Sequence, residues 1–337
     1  MMIFITGGTG LVGAHILLKL TQEGKSVRAL KRKTSSFSIV EKIFNYYNQS
    51  ELLQKIEWID GDLLDILSLQ SAVEGCDNVI HCAALVSFDS KEVEKMMQFN
   101  VEGTANIVNT CIKFNVSKLA YVSSIAALGN SDSDIEKTED NYWKPNPHNT
   151  AYSISKYLSE QEVWRGTQEG LDAVIVNPSV ILGPGDWSKG SSQLFEKVWD
   201  GLKYFTTGST GYVDVIDVAN VIVQLSESDV VNERFILNSE NLAYSQVFEW
   251  IAEDLNRPKP YIKVTHFIKE LAWRLEWFKS LITRKSPLIT KETANKSMVN
   301  SSYSNAKISK TLSYKFIPIR ESILKYSRWF LSEKTSS

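Results

Sequence analysis

Cysteine is scarce in this chain. Its 337 residues include three, Cys76, Cys82 and Cys111, all in apolar or helical surroundings. None has a metal-ligand spacing, so neither a disulfide framework nor a thiolate metal site is expected. The scarcity points to a reducing, cytoplasmic compartment. Net charge is also small. The 37 Lys and Arg against 39 Asp and Glu leave −2, which gives no electrostatic footprint for a nucleic acid. No apolar run approaches the ~20 residues a membrane helix needs. The start, "MMIFITGGTG", is too short and too glycine-rich for a secretory leader. No repeat or low-complexity segment stands out. What remains is a globular chain, 43% hydrophobic, long enough for one large or two modest domains with ample core.

The first half alternates strand and helix. "MIFIT", "SVRALK", "IEWID", "NVIHCAA", "KLAYVSS" and "DAVIVNPSV" read as strands. Leu11–Glu23, "SIVEKIFNYYNQSELLQ", Val93–Asn115 and Ala151–Thr167 read as helices. This rhythm predicts a parallel sheet covered on both faces, and right-handed crossovers make it doubly wound. After Val180 the rhythm changes. "GYVDVIDVANVIVQL" and "ERFILN" read as strand, helix and strand rejoining the sheet, and from Tyr244 onward the pattern is mostly helical. The expected architecture is α/β, with residues 1–180 and 211–240 forming a dinucleotide-binding Rossmann domain. Residues 181–210 and 241–337 would form a smaller, mostly helical substrate domain.

The first strand ends in a glycine cluster. Gly8, Gly10 and Gly13 keep G-x-G-x-x-G spacing, and Gly7, Gly10 and Gly13 also fit G-x-x-G-x-x-G. Glycines permit the tight turn and a close backbone approach to a pyrophosphate, and the following helix N-terminus offers free N–H groups. The motif alone is weak. Its place after a strand, before a helix and in the first β-α-β unit strengthens it.

Other motifs follow in order: "GDLLD", "HCAALVSF", "NVEGTANIVNTC", "YVSSIAALG", "YSISK" and "NPSVILGPGD". With "TGGTGLVG" they span about the first 185 residues, and the set resembles the extended short-chain dehydrogenase/reductase superfamily, also called the NAD-dependent epimerase/dehydratase family. The resemblance implies cofactor contacts from Gly7, Gly8, Thr9, Gly10, Leu11, Val12 and Gly13. It also implies an adenine segment at Asp62 and Leu63, a cofactor-lining strand end at Cys82, Ala83 and Ala84, and contributions from Asn100, Ser123, Pro178 and Ser179. Dimerisation through two long helices near the catalytic helix is implied as well. The C-terminal half is covered only loosely, through "DVIDVA" and "SNAKISKTLSYKF".

Tyr152 and Lys156 lie four apart, on one face of a helix. A free phenol with pKa near 10 is ionised only to roughly a thousandth at neutral pH, and a nearby ammonium favours the phenolate. Such a pair suits general acid or base work. Tyr303 and Lys307 show the same spacing but fall outside the nucleotide-binding half, so Tyr152–Lys156 is the expected functional pair. By the resemblance, Tyr152 exchanges the proton, Lys156 also holds the nicotinamide ribose, and Ser124 hydrogen-bonds the carbonyl oxygen. Ser124 takes precedence over Ser123 by its place in the S-S-x-x-x-x-G pattern ending at Gly129.

Within the family, further absences discriminate. Sugar-nucleotide dehydratases carry Asp-Glu directly after the catalytic hydroxyl residue, where this chain has Ile125 and Ala126. Epimerases usually carry arginine before the nicotinamide-side proline, where this chain has Asn177. "NPSVILGP" looks more like the branch of dihydroflavonol reductases, cinnamoyl-CoA reductases and 3β-hydroxysteroid dehydrogenases. The expectation is an NAD(P)H-dependent ketone or aldehyde reductase, reversible as an alcohol dehydrogenase. A nucleotide-sugar epimerase and a non-catalytic dinucleotide-binding sensor or scaffold are the alternatives. No carboxylate occurs between Lys25 and Val40, where NAD-selective folds place an acid on the ribose. Arg32 falls there instead, beside Lys31 and Lys33, which favours NADP over NAD. Trp187, Trp199, Tyr204, Phe205, Trp273 and Trp277 are candidates for an aromatic pocket or for core. Phe267, Ile268, Leu271, Leu275, Phe278 and Ile282 form a helical stripe that reads as packing or as a membrane-surface helix. The expected partner is a small-molecule substrate.

Overall fold

The structure is a computed structural model that describes residues 1–87, 89–129, 136–146, 149–270, 273–274, 294–295 and 297–335. The N-terminal half repeats strand and helix: β1 (Met2–Thr6), α1 (Leu11–Gln22), β2 (Ser26–Lys31), α2 (Ser38–Tyr46), β3 (Ile56–Asp60), α3 (Ile66–Val73), β4 (Asn78–His81), α4 (Val93–Met97), α5 (Gly103–Lys113), β5 (Lys118–Val122), α6 (Ala151–Gln168) and β6 (Ala173–Pro178). Then follow β7 (Val180–Leu182), α7 (Gln193–Trp199), β8 (Tyr204–Phe205), β9 (Ser209–Asp214), α8 (Val215–Glu227), β10 (Glu233–Leu237), β11 (Glu240–Ala243), α9 (Tyr244–Asp254) and β12 (Ile262–Lys263). Two helices, Ala306–Leu312 and Ile319–Thr335, close the described chain.

The main sheet has seven strands in the order β10-β6-β5-β4-β1-β2-β3, and every pairing within it is parallel. β4 and β5 are buried along their whole length, as strands covered on both faces must be. This is the expected doubly wound Rossmann-like fold. Its strand order reverses between β1 and β4, and in such sheets the crevice outside the carboxyl ends of those strands is where ligands bind.

Three local readings differ. The segment taken as one long surface helix from Ser38 stops at Tyr46, because Asn48 adopts the left-handed region (φ 53). A 3₁₀ turn, Ser50–Lys55, follows, and Val40, Ile43 and Phe44 are core. The helix read over Val93–Asn115 contains one π turn, Gln98–Glu102, around the buried Asn100. Such turns recur at functional sites. Finally, only β10 rejoins the main sheet. β9 pairs instead with β7 and β11 in a separate three-stranded sheet.

The described aromatic residues beyond Val180 are largely core. Trp187 is edge-on to Phe195 and Phe330, and its Nε1 donates to Glu333 at 2.8 Å. Trp199 packs on Phe330 beneath the Arg257 guanidinium. Tyr204 is half-exposed, and Trp277 lies outside the described residues. Of the stripe that begins at Phe267, only Phe267 and Ile268 are described, and Phe267 is 77% exposed. Among the described residues no helix is long and apolar enough to cross a membrane.

Candidate active site

The turn from β1 to α1 needs its glycines individually. Gly7 has φ +73, and a Cβ there would lie 2.6 Å from the Ala83 nitrogen. At Gly13 a Cβ would meet the Gly7 carbonyl oxygen at 2.2 Å, so α1 can approach β1 only without a side chain. Gly10 caps α1, and no side chain satisfies the first N–H groups. These donors at the positive end of the helix dipole suit an anion.

A groove opens along this turn. Thr6, Gly7, Thr9, Gly10, Leu30, Lys31, Arg32, Ser35, Gly61, Asp62, Leu63, Cys82, Ala83, Ala84 and Phe99 line it. Expected residues from four separate segments thus line one cleft at the switch point. Thr6, Leu30, Lys31, Ser35, Gly61 and Phe99 join them. Asp62 Oδ1 accepts the Leu64 N–H at 3.0 Å, and buried Leu63 packs close against Gly103. Leu11 and Val12 begin α1 and pack against the core.

Thr6 belongs to a buried chain behind the groove. The Ala83 N–H donates to Thr6 Oγ1, which donates to His81 Nδ1 at 2.6 Å. His81 Nε2–H then donates to Thr104 Oγ1 at 3.1 Å, because the Thr104 hydroxyl is already donating to the Asn100 carbonyl. Burial, with Lys156 nearby, pushes the imidazole down to about 3, so His81 stays neutral. Both N–H donors of the Asn100 carboxamide are used. It exchanges two hydrogen bonds with the Leu85 backbone and donates a third to Ser155 Oγ. Its place is therefore to fix the loop after β4.

Thr150 caps α6 by accepting the Ser153 N–H, and Tyr152 and Lys156 follow in the first two turns. Lys156 is 1% exposed. Its Nζ donates to Tyr121 Oη at 2.8 Å and to the Val122 carbonyl at 3.0 Å, which bridges α6 to the end of β5. Burial pushes the ammonium down from its ordinary range, and Tyr152 and Glu160 oppose that shift. Ser124 caps the 3₁₀ turn Ile125–Leu128, with Oγ accepting the Ala126 N–H at 3.1 Å. Ser123 Oγ is buried with no hydrogen-bond partner of good geometry, but it faces the Glu160 carboxyl and favours its ionised form.

Tyr303 and Lys307 are built differently. Tyr303 is buried, its ring lies 5.5 Å from Lys137 Nζ, and its carbonyl accepts from Asn238 and Asn241. Lys307 pairs with Glu233. The two side chains serve separate contacts.

The groove fits a dinucleotide. Its glycine cradle leaves backbone N–H groups open, and Ser179 Oγ, just past Pro178 at the end of β6, is buried with no partner. Among the described residues no cluster of three or more His, Cys, Asp or Glu suits a metal ion.

Comparison with known proteins agrees with this geometry. A family described as the NAD dependent epimerase/dehydratase family matches residues 3–237. A putative dihydroflavonol 4-reductase from Synechocystis is 30% identical over 97% of this chain and 94% of its own length. A cinnamoyl-CoA reductase from Medicago truncatula is 26% identical over 80% of this chain and 88% of its own. A dTDP-glucose 4,6-dehydratase from Streptomyces venezuelae, solved with NAD bound, superposes with TM-score 0.78 over 99% of this chain and 98% of that one. At 18% identity that likeness speaks for the fold alone.

Proposed function

The chain belongs to the NAD-dependent epimerase/dehydratase family, and on that premise we propose that it reduces a ketone or aldehyde, reversibly, through Ser124, Tyr152 and Lys156. One observation carries the reading. Lys156, buried in α6, is tied to β5 two residues before Ser124, while Tyr152 lies one helical turn away on the same face. A bound reduced nicotinamide supplies the hydride. Tyr152 gives the proton to the forming alkoxide, and Lys156 favours the phenolate left behind. Ser124 Oγ donates to the carbonyl oxygen as charge develops there. Ile125 and Ala126 supply no acid or base for dehydration. The relatives described as reductases support the same choice.

The test is NADPH oxidation over a panel of ketones, aldehydes, flavonoids and steroids, with nucleotide sugars assayed for epimerisation. Turnover of a carbonyl is the expected result. Epimerisation of a nucleotide sugar without net NADPH oxidation would overturn it.

The two serines give a sharper check. Ser124→Ala should lower kcat about tenfold or more, since it removes a donor to the oxyanion. Ser123→Ala should cost less, because that hydroxyl faces Glu160. Equal losses would mean the polarising hydroxyl is misplaced.

A further inference from the structure

Glu160 lies one turn beyond Lys156 on α6 and is 0% exposed. An ionised carboxylate in that setting is costly unless it is paired. The surroundings pair it. Asn177 Nδ2 donates to its Oε1, and Arg234 Nη1 lies 3.4 Å from its Oε2. The same Asn177 amide donates to the Ser124 carbonyl at 3.0 Å. Arg234, on β10, also donates to the Glu139 and Asn141 carbonyls. Glu160 is therefore closed off from solvent, yet two strands, β6 and β10, hold it in place.

We infer that Glu160 is a positioning residue: the buried counter-charge that keeps Lys156 an ammonium, with Asn177 and Arg234 fixing its carboxylate. The inference rests on the reading of Tyr152–Lys156 as the proton-transfer pair. The groups that face Lys156 are Tyr152 and Glu160 on α6, Tyr121 on β5, His81 on β4, and Cys82 just after it. His81 is neutral. Burial pushes the Cys82 thiol up to about 12 and raises the Tyr121 phenol. None of these brings negative charge near neutral pH. Glu160 alone among the facing groups is a carboxylate; burial pushes its carboxyl up, and Ser123, Arg234 and Asn177 oppose that by favouring the ionised form. Without it, burial would push the Lys156 ammonium down further and weaken its hold on a phenolate.

The experiment is competitive labelling with acetic anhydride across pH, read by peptide mass spectrometry, because only the free amine acetylates. In Glu160→Gln the labelling midpoint of Lys156 should fall by about half a pH unit or more. Lys118, buried at the opposite end of β5 and donating to the Ser228 carbonyl, is the control and should not move. Thermal melting establishes that the variant is folded. If Glu160→Gln fails to fold, Glu160→Gln/Arg234→Met removes both charges together and carries the same expected direction. An unmoved or raised Lys156 midpoint in either folded variant overturns the inference. The readout needs neither substrate nor cofactor. Should Tyr152→Phe leave carbonyl turnover intact, the proton-transfer reading falls, while the labelling still decides what Glu160 does to Lys156.

Discussion

Tyr152→Phe should lower turnover about a hundredfold or more while NADPH affinity stays nearly unchanged. The substitution removes one oxygen. It keeps the ring, the Thr150 cap and the helix that carries Lys156, so any loss reports the missing proton rather than a lost fold. A reaction that lacks its general acid must take the proton from water, which is the source of the expected factor. Tyr303→Phe is the matched control, because the same spacing to a lysine recurs there. Its phenol is buried beside Lys137, and burial pushes it up to about 12. The Tyr303–Lys307 spacing carries no shared contact, since Lys307 pairs with Glu233. Turnover should remain within a few fold of wild type. Lost activity in Tyr303→Phe with Tyr152→Phe unharmed would reverse the choice between the two pairs.

The parts of this molecule that were readable in advance are those governed by local rules. The glycine spacing after β1 predicts its turn because no other residue fits at Gly7 or Gly13. Buried strands such as "NVIH" and "KLAYV" show as apolar runs because the parallel sheet is covered on both faces. What escaped depends on contacts distant in sequence. The partner of β9 is decided by β7 and β11 rather than by its own residues. The Asn48 break shows only as an Asn in a polar stretch, a residue that tolerates the left-handed region without requiring it. Glu160 left a faint signal. Tyr152, Lys156 and Glu160 are spaced four apart, so one helix face carries all three. A glutamate at that spacing is ordinarily a solvated neighbour. Only the arrival of Asn177 and Arg234 from two other strands makes it a buried, paired carboxyl.

NADPH should bind more tightly than NADH, and Arg32→Ala should weaken NADPH far more than NADH. The argument begins at the end of β2. An acid there would bond the ribose hydroxyls of NAD and repel a 2′-phosphate. β2 and its loop carry no acid, but the fold brings one alongside, because parallel register sets Lys31 opposite Asp60 at the end of β3. Lys31 pairs with that carboxylate, which offsets its charge. Arg32 follows as an exposed side chain on the groove wall beside Ser35. The turn that presents it is closed from both sides. The Arg32 N–H donates to Ser35 Oγ at 3.0 Å, and the Ser35 N–H donates to the Arg32 carbonyl at 2.9 Å. A guanidinium there can take two phosphate oxygens at once. Hydrogen bonds to a charged group contribute about 1.5–3 kcal/mol, so losing them should weaken NADPH by roughly ten- to a hundredfold. NADH, with no 2′-phosphate, should lose little. Because Arg32 is exposed, the gap between the two cofactors should narrow as salt rises and screens the charge. Fluorescence titration of wild type and Arg32→Ala at two salt concentrations measures all of this. Tighter binding of NADH by the wild type would return Arg32 to the status of a solvated surface charge.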